Sequence, residues 1–344
     1  MATADVPVDE RVRRVGLASI LLSRPEIGAI IGAILVWAVF AVWAGGSGFL
    51  SLAGTATYLE VAAQVGIVAS AVALLMIAGE FDLSVGSVVG AAGMVIAIGI
   101  GELGLPPFVA VLLAFAFALV VGFVNGYLVV KTRLPSFIVT LGMLFILRGL
   151  TIGVTRALTG RTQIGGLADA VERDPIAGIF TADIGPFSAS VVWWIGVALL
   201  ATFILLRTSF GNWIFGVGGS AVAARNVGVP VSRVKIILFM ATAASAALLA
   251  TIQVLQVGSG DVLRGADKEF EAIITAVIGG TLLNGGYGSA IGAVFGALTL
   301  GMTKQGIVFA GIPGDWYQAF LGVLLLLAVI VNNYIRQRAT MTRH

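Results

Sequence analysis

Long apolar runs separated by short polar breaks set the pattern of this chain. About 20 apolar residues of helix cross a hydrocarbon core. On that measure the runs read as ten helical segments: residues 27–45, 58–78, 84–101, 107–130, 135–155, 188–206, 236–257, 269–283, 288–305 and 316–335. The eighth is short and gives way to Asn284-Gly285-Gly286, the mark of a half-helix or re-entrant piece. The ten-residue alternating strands of a membrane barrel are absent. The expected fold is an all-α polytopic membrane protein.

Composition agrees. The 344 residues are 59% hydrophobic and 11% charged, with a mean hydropathy of +1.06, too apolar for a soluble chain of this length. The absence of cysteine excludes disulfides and thiolate metal sites. The single histidine, His344, is the last residue. No catalytic set, metal site or cofactor is expected.

Charge adds a topology. With the N-terminus in the cytoplasm, thirteen of the 20 Lys and Arg residues fall on the inner side and six on the outer, Arg148 lying within segment five. Both termini are therefore expected inside, on the cytoplasmic face. Residues 1–26 form one tail and 336–344 the other, around a membrane domain at 27–335. The first apolar run is too long for a signal-peptide core and reads as an uncleaved anchor. The formal charge of +3 follows from this bias, and no nucleic-acid partner is expected.

One hexapeptide recurs. Gly86-Ser87-Val88-Val89-Gly90-Ala91 returns as Gly288-Ser289-Ala290-Ile291-Gly292-Ala293, each after a glycine-containing break and each opening a Gly/Ala-rich helix. Two readings stand: a parallel internal repeat, as transporters often have, or chance in a chain rich in both residues.

The polar breaks carry the candidate chemistry. Gly79-Glu80-Phe81-Asp82-Leu83-Ser84-Val85-Gly86-Ser87 sits between two apolar runs. Asp82 or Ser84 there serves as a helix cap, or belongs to an inner gate. Gly126 to Thr132 is the nearest approach to a phosphate-binding loop, but it lacks the glycine before lysine and ends a helix. No ATP site is expected, and an enzyme is not. Within the inner loop 207–235, Ser220 caps a short helix ended by Gly228 and Pro230. That helix is either a plain surface loop or a docking knob with Arg225 at its tip. Asn125, Thr140, Arg148, Thr275 and Asn284 lie in or beside the spans, while Glu60 and Asp315 sit near their ends. Arg148 faces protein or reaches the interface. Gly122, Gly126, Gly142 and Gly149 are expected at close helix contacts.

Taken together, several stretches resemble one family. They are GEFDLSVGS at 79–87, Val124-Asn125-Gly126-Tyr127, Leu134-Pro135-Ser136-Phe137-Ile138-Val139-Thr140, Ala223-Ala224-Arg225-Asn226-Val227-Gly228 and Gly279-Gly280-Thr281 with Gly288-Ser289. In order and spacing they are similar to the ribose/xylose-type permeases, the membrane subunits of ABC importers for monosaccharides and related polyols. The resemblance runs from about residue 58 to 335. It implies a multi-pass subunit of a bacterial inner membrane, with a cytoplasmic ABC ATPase, a periplasmic or lipid-anchored solute-binding protein and a second permease copy, and membrane lipid around them.

The resemblance also maps a coupling helix onto Ser220, Ala223, Ala224, Arg225 and Gly228. Asp82, Ser84, Ser87, Asn125, Thr140, Thr275 and Asn284 are the polar residues expected along a solute path or gate. One departure is Gly79-Glu80-Phe81, where many sugar members have Gly-Gly-Ile. Other readings are an ion-coupled secondary transporter using Glu60, Glu80 or Asp82, and a nucleoside or branched-chain amino-acid permease.

Overall fold

The computed structural model describes residues 25–341, with side chains from 26 to 330; of the expected tails, 1–24 and 342–344 lie outside the described residues. The long helices are α1 (Pro25–Ala44), α2 (Leu52–Ile77), α3 (Val85–Gly101), α4 (Pro107–Thr132) and α5 (Ser136–Thr159). The short α6 (Ala168–Arg173) and α7 (Gly178–Thr181) precede α8 (Ala189–Arg207), α9 (Ser209–Gly219) and α10 (Ala221–Asn226). The chain ends with α11 (Val231–Val257), α12 (Lys268–Ile278), α13 (Ala290–Phe309) and α14 (Tyr317–Met341). Every predicted run contains a helix, and among the described residues seven helices are long and apolar enough to cross a membrane. The last span runs on past residue 335 to Met341, and the seventh begins at Val231 rather than 236.

Burial sorts these helices. The most apolar window of α2 is 83% buried and that of α11 is 72%, against 17% for α5 and 22% for α1. With α3, α2 and α11 form the centre, and α1, α5 and α8 turn broad apolar faces outward. Close approach in the centre depends on missing side chains. A Cβ on Gly122 would meet Phe239 O at 2.6 Å, and one on Gly126 would meet Ile236 Cα at 2.7 Å, so α4 lies flat on α11. The expected role fails at Gly142 and Gly149, which have nothing within 4 Å of a Cβ because α5 turns that side away from the bundle.

The eighth segment is a half-helix, as the sequence pattern predicts. After α11 the chain turns back in extended form. Gln163–Ile164 (β1) pairs antiparallel with Gly260–Asp261 (β2). Val262 and Gly265 then run along the glycine side of α3: a Cβ on Gly90 would sit 2.9 Å from Val262 O, and Gly86 leaves room for the Gly265 carbonyl. The chain reverses at Asp267, which is left-handed (φ 65°), and α12 completes the crossing. The break in α12–α13 has its own glycine contacts, with Gly292 against Gly279 and Gly296 against Thr275 O. Both copies of the repeated hexapeptide thus sit at the start of helices that pack their glycines on this broken segment, and α3 and α13 set out from the same end of the bundle.

Three of the six basic residues counted on the outer side, Arg264, Lys268 and Lys304, make contacts within the bundle. Arg264 donates to the Ser259 carbonyl at 2.6 Å and to the Gln253 carbonyl at 3.2 Å. Lys268 and Lys304 both pair with Glu271, at 2.6 and 3.1 Å.

Candidate functional site: a polar knot beside an exposed short helix

The break between α2 and α3 is not a loose loop. Gly79, with φ 84°, turns the chain out of α2, and several polar groups after it find partners on other helices. Phe81 N–H donates to Ser136 Oγ at 3.0 Å, and Leu83 N–H donates to Thr140 Oγ1 at 3.1 Å. Ser136 and Thr140 stand one helical turn apart at the start of α5, so one face of that helix reads two backbone donors of the break. Glu80 forms an ion pair with Lys235 of α11.

Asp82 is fully buried and sits at the centre. Its Oδ1 accepts from Ser84 N at 2.9 Å and Ser84 Oγ at 2.6 Å, and its Oδ2 accepts from Thr242 Oγ1 at 2.8 Å. Asn125 Nδ2 of α4 donates to Ser84 Oγ at 2.8 Å. Burial pushes the Asp82 carboxyl above its ordinary range, and the donors from Ser84 and Thr242 oppose that push. The capping role is only partly fulfilled. Ser84 occupies the N-cap position without a side-chain cap bond, and Asp82 binds the N-cap residue rather than the first turn of the helix.

Of the predicted path residues, Asp82, Ser84, Asn125 and Thr140 therefore come together in one knot, and Ser87 adjoins it through a 3.0 Å bond to Leu144 O of α5. Thr275 is buried in α12, its hydroxyl without a partner among the described residues. Asn284 is exposed in the loop after α12 and stands apart from the knot. The sequence reading missed Ser136, Lys235 and Thr242. Ser136 was signalled by its spacing from Thr140. Lys235 and Thr242 lie two turns apart on one face of α11.

Beside the knot lies the short helix. Ser220 caps α10 as expected, accepting from Ala223 N at 3.2 Å, and Gly228 (φ 88°) ends it. Val222 is 73% exposed and Val227 81%, and Ala223 and Arg225 are exposed as well. Ala224 is buried and seats the helix on α9 and α11, so it belongs to the support and not to the exposed face.

A backbone junction of glycines joins this helix to both breaks. A Cβ on Gly218, at the end of α9, would collide with the Ile77 carbonyl. Gly285 (φ 76°) approaches Gly79 so closely that a Cβ would meet Gly79 Cα at 2.7 Å. Gly286 N–H donates to Ile77 O at 2.8 Å. The end of α2, the end of α9 and the loop before α13 thus touch backbone to backbone.

The three acids of an ion-coupled reading do not gather. Glu80 is paired with Lys235, Asp82 is enclosed by hydroxyls, and Glu60 lies at the opposite end of the bundle. No group of three or more His, Cys, Asp or Glu that could hold a metal occurs among the described residues.

Comparison with known proteins gives this arrangement a context. Residues 54–329 match the family described as branched-chain amino acid transport system / permease component. The chain is 33% identical to the probable ABC transporter permease protein YphD of Escherichia coli K12, over 92% of this chain and 91% of the relative. It is 30% identical to the xylose transport system permease protein XylH of the same organism, over 94% and 95%. The ribose import permease protein RbsC, also from that organism, is 33% identical over 78% and 81%. No solved structure is significantly similar. The chain belongs to the permease family of ABC importers that these proteins represent, on its sugar-permease side, and is a multi-pass membrane subunit.

Proposed function

We propose that this subunit passes a monosaccharide or related polyol from a periplasmic or lipid-anchored solute-binding protein to the cytoplasm, in a homodimer powered by a separate ABC ATPase. In this reading the α9–α10 end faces the cytoplasm and the β1–β2 end faces outward. The observation that carries it is the seating of α10. Its exposed face, with Val222, Ala223, Arg225 and Val227, suits a groove on another protein. Its support is joined through the Gly218–Ile77–Gly286 backbone contacts to both helix breaks. Force applied at α10 passes through these backbone contacts to the Asp82 knot and to the loop that follows the half-helix α12. A subunit without its own ATP site receives energy in this way. Two relatives are permeases named for xylose and for ribose, and a neutral polyol suits a lining of hydroxyls and amides.

The test is reconstitution in liposomes. Uptake of a labelled monosaccharide is expected only with the ATPase, ATP and the binding protein present. Arg225→Glu is expected to insert normally and to lose both uptake and ATPase stimulation. Accumulation driven by an ion gradient without an ATPase would overturn this reading in favour of a secondary transporter.

A further inference from the structure

A second polar site lies at the other end of the bundle, away from the knot. A cavity of about 620 Å³ is lined there by Glu60, Gln64, Asp183, Gln253, Gln256 and Arg264, among others. Its volume falls in the range of small-molecule sites, about 300–1,000 Å³. Two of its walls are central spans. Glu60 and Gln64 are four residues apart on α2, and Gln253 and Gln256 three apart on α11, so each pair occupies one face of its helix. The two helices run antiparallel, and the inner members meet: Gln253 Nε2 donates to Gln64 Oε1 at 3.0 Å. Such side chains are costly in apolar spans unless they face a partner or a watery cavity.

The remaining groups leave bonding capacity at this cavity. Gln253 is only 9% exposed, and its Oε1 has no hydrogen-bond partner among the described residues. Gln256 is oriented by a 2.7 Å bond to Ser188 Oγ. Arg264, held by the carbonyls of Gln253 and Ser259, forms no ion pair among the described residues. A lining with two carboxylates, three amides and a fixed guanidinium offers both acceptors and donors. A bare cation would face Arg264, and a bare anion would face Glu60 and Asp183. A neutral solute with several hydroxyls, each able to donate and accept, suits all of them.

We propose that this cavity is a binding site for a neutral polyhydroxylated solute within a single subunit, a station on the outer face before the solute moves inward. The proposal rests on the sugar-permease reading above and adds to it a site with named residues.

Calorimetric titration of the full chain in lipid nanodiscs, without ATPase or binding protein, tests it, with D-xylose, D-ribose and D-fructose as separate probes. Saturable binding of at least one is expected. Glu60→Gln, which exchanges an acceptor oxygen for a donor, and Gln253→Leu, which removes a buried amide, are each expected to weaken it about tenfold, with the melting temperature checked for each variant. In the assembled importer the same variants should slow uptake of that sugar while ATPase stimulation persists. If the importer carries one of the three but the isolated chain binds none saturably, the cavity is not a solute site and the sugar reading stands. If the variants lose affinity for the binding protein and keep sugar binding, the cavity is a docking surface and the proposal fails. If the importer carries no monosaccharide or polyol at all, the proposal falls with the reading beneath it.

Discussion

Thr242 Oγ1 lies 2.8 Å from Asp82 Oδ2, joining two residues 160 positions apart. Asp82 receives two further bonds from Ser84, so three polar contacts converge on its carboxyl group, and the Thr242 hydroxyl has a second acceptor in the Phe239 carbonyl at 2.9 Å.

Asp82→Asn is expected to destabilise the protein: its amide oxygen can keep the Ser84 donors and one N–H can be taken by Thr242 Oγ1, whose proton then turns to the Phe239 carbonyl, but the second N–H is left without an acceptor. A buried donor left unmatched costs about 1–3 kcal/mol. Thermal unfolding in detergent should show the loss for Asp82→Asn and a smaller one for Thr242→Val. A double-mutant cycle between them should give a coupling of about 0.5–3 kcal/mol. Additive effects would mean that the contact carries no energy.

The Glu80–Lys235 pair ties the same break to α11, a few residues after α10. The side chains are 10% and 19% exposed, so solvent screens the pair only weakly. Breaking a fully buried pair costs about 3–5 kcal/mol; here the loss should be nearer 2 kcal/mol, since Lys235 retains access to water. Glu80→Lys is expected to lower uptake and melting temperature, and Lys235→Glu to do the same. Combining the two should restore much of both. No recovery in the double variant would show that position, and not charge pairing, matters.

Much of this architecture was legible before the structure. Runs of membrane length located the spans, and Asn284-Gly285-Gly286 marked the broken eighth segment, because solvation in lipid leaves few alternatives to helix. Ser220 and Gly228 delimited α10 because caps are local chemistry. The knot was only half legible. Asp82, Ser84 and Asn125 stand out as polar residues among apolar ones, but their partners Lys235 and Thr242 lie on a helix far along the chain. Pairing over that distance depends on how α11 packs, which no local pattern encodes. The glycines show the same limit: Gly126 and Gly142 look alike in sequence, and only the neighbour of each helix face separates them.

That separation predicts a contrast. Gly218→Ala would drive a methyl into the Ile77 carbonyl, and Gly285→Ala would meet Gly79 while strained at φ 76°. Both are backbone against backbone and cannot relax by a side-chain move. Each is expected to reduce folded yield and to abolish uptake in whatever folds. Gly142→Ala and Gly149→Ala, with open space around them, should behave as wild type. A neutral Gly218→Ala, read by size-exclusion profile and uptake, would show that the junction is looser than drawn.

Glu271 is the last point of attachment for the half-helix. It accepts from Lys268 at 2.6 Å and Lys304 at 3.1 Å, and Tyr317 Oη lies 3.4 Å from the same carboxylate oxygen that Lys304 uses. Lys304 also stands 4.8 Å from the Tyr317 ring centre, a favourable place for an ammonium. One carboxylate thus serves two cations, and substitutions on the two sides should differ in size. Glu271→Gln leaves two ammonium groups without a counter-charge, an effect of about 3–5 kcal/mol where burial is full and less here, as Lys304 is 35% exposed. Lys304→Met leaves a balanced Lys268–Glu271 pair and an apolar stem against Tyr317, and it should be nearly neutral. Melting temperatures of the two variants in one detergent decide the matter. If Lys304→Met is as damaging as Glu271→Gln, the cation is needed for more than its charge, and α13 rather than α12 is the element the cluster holds.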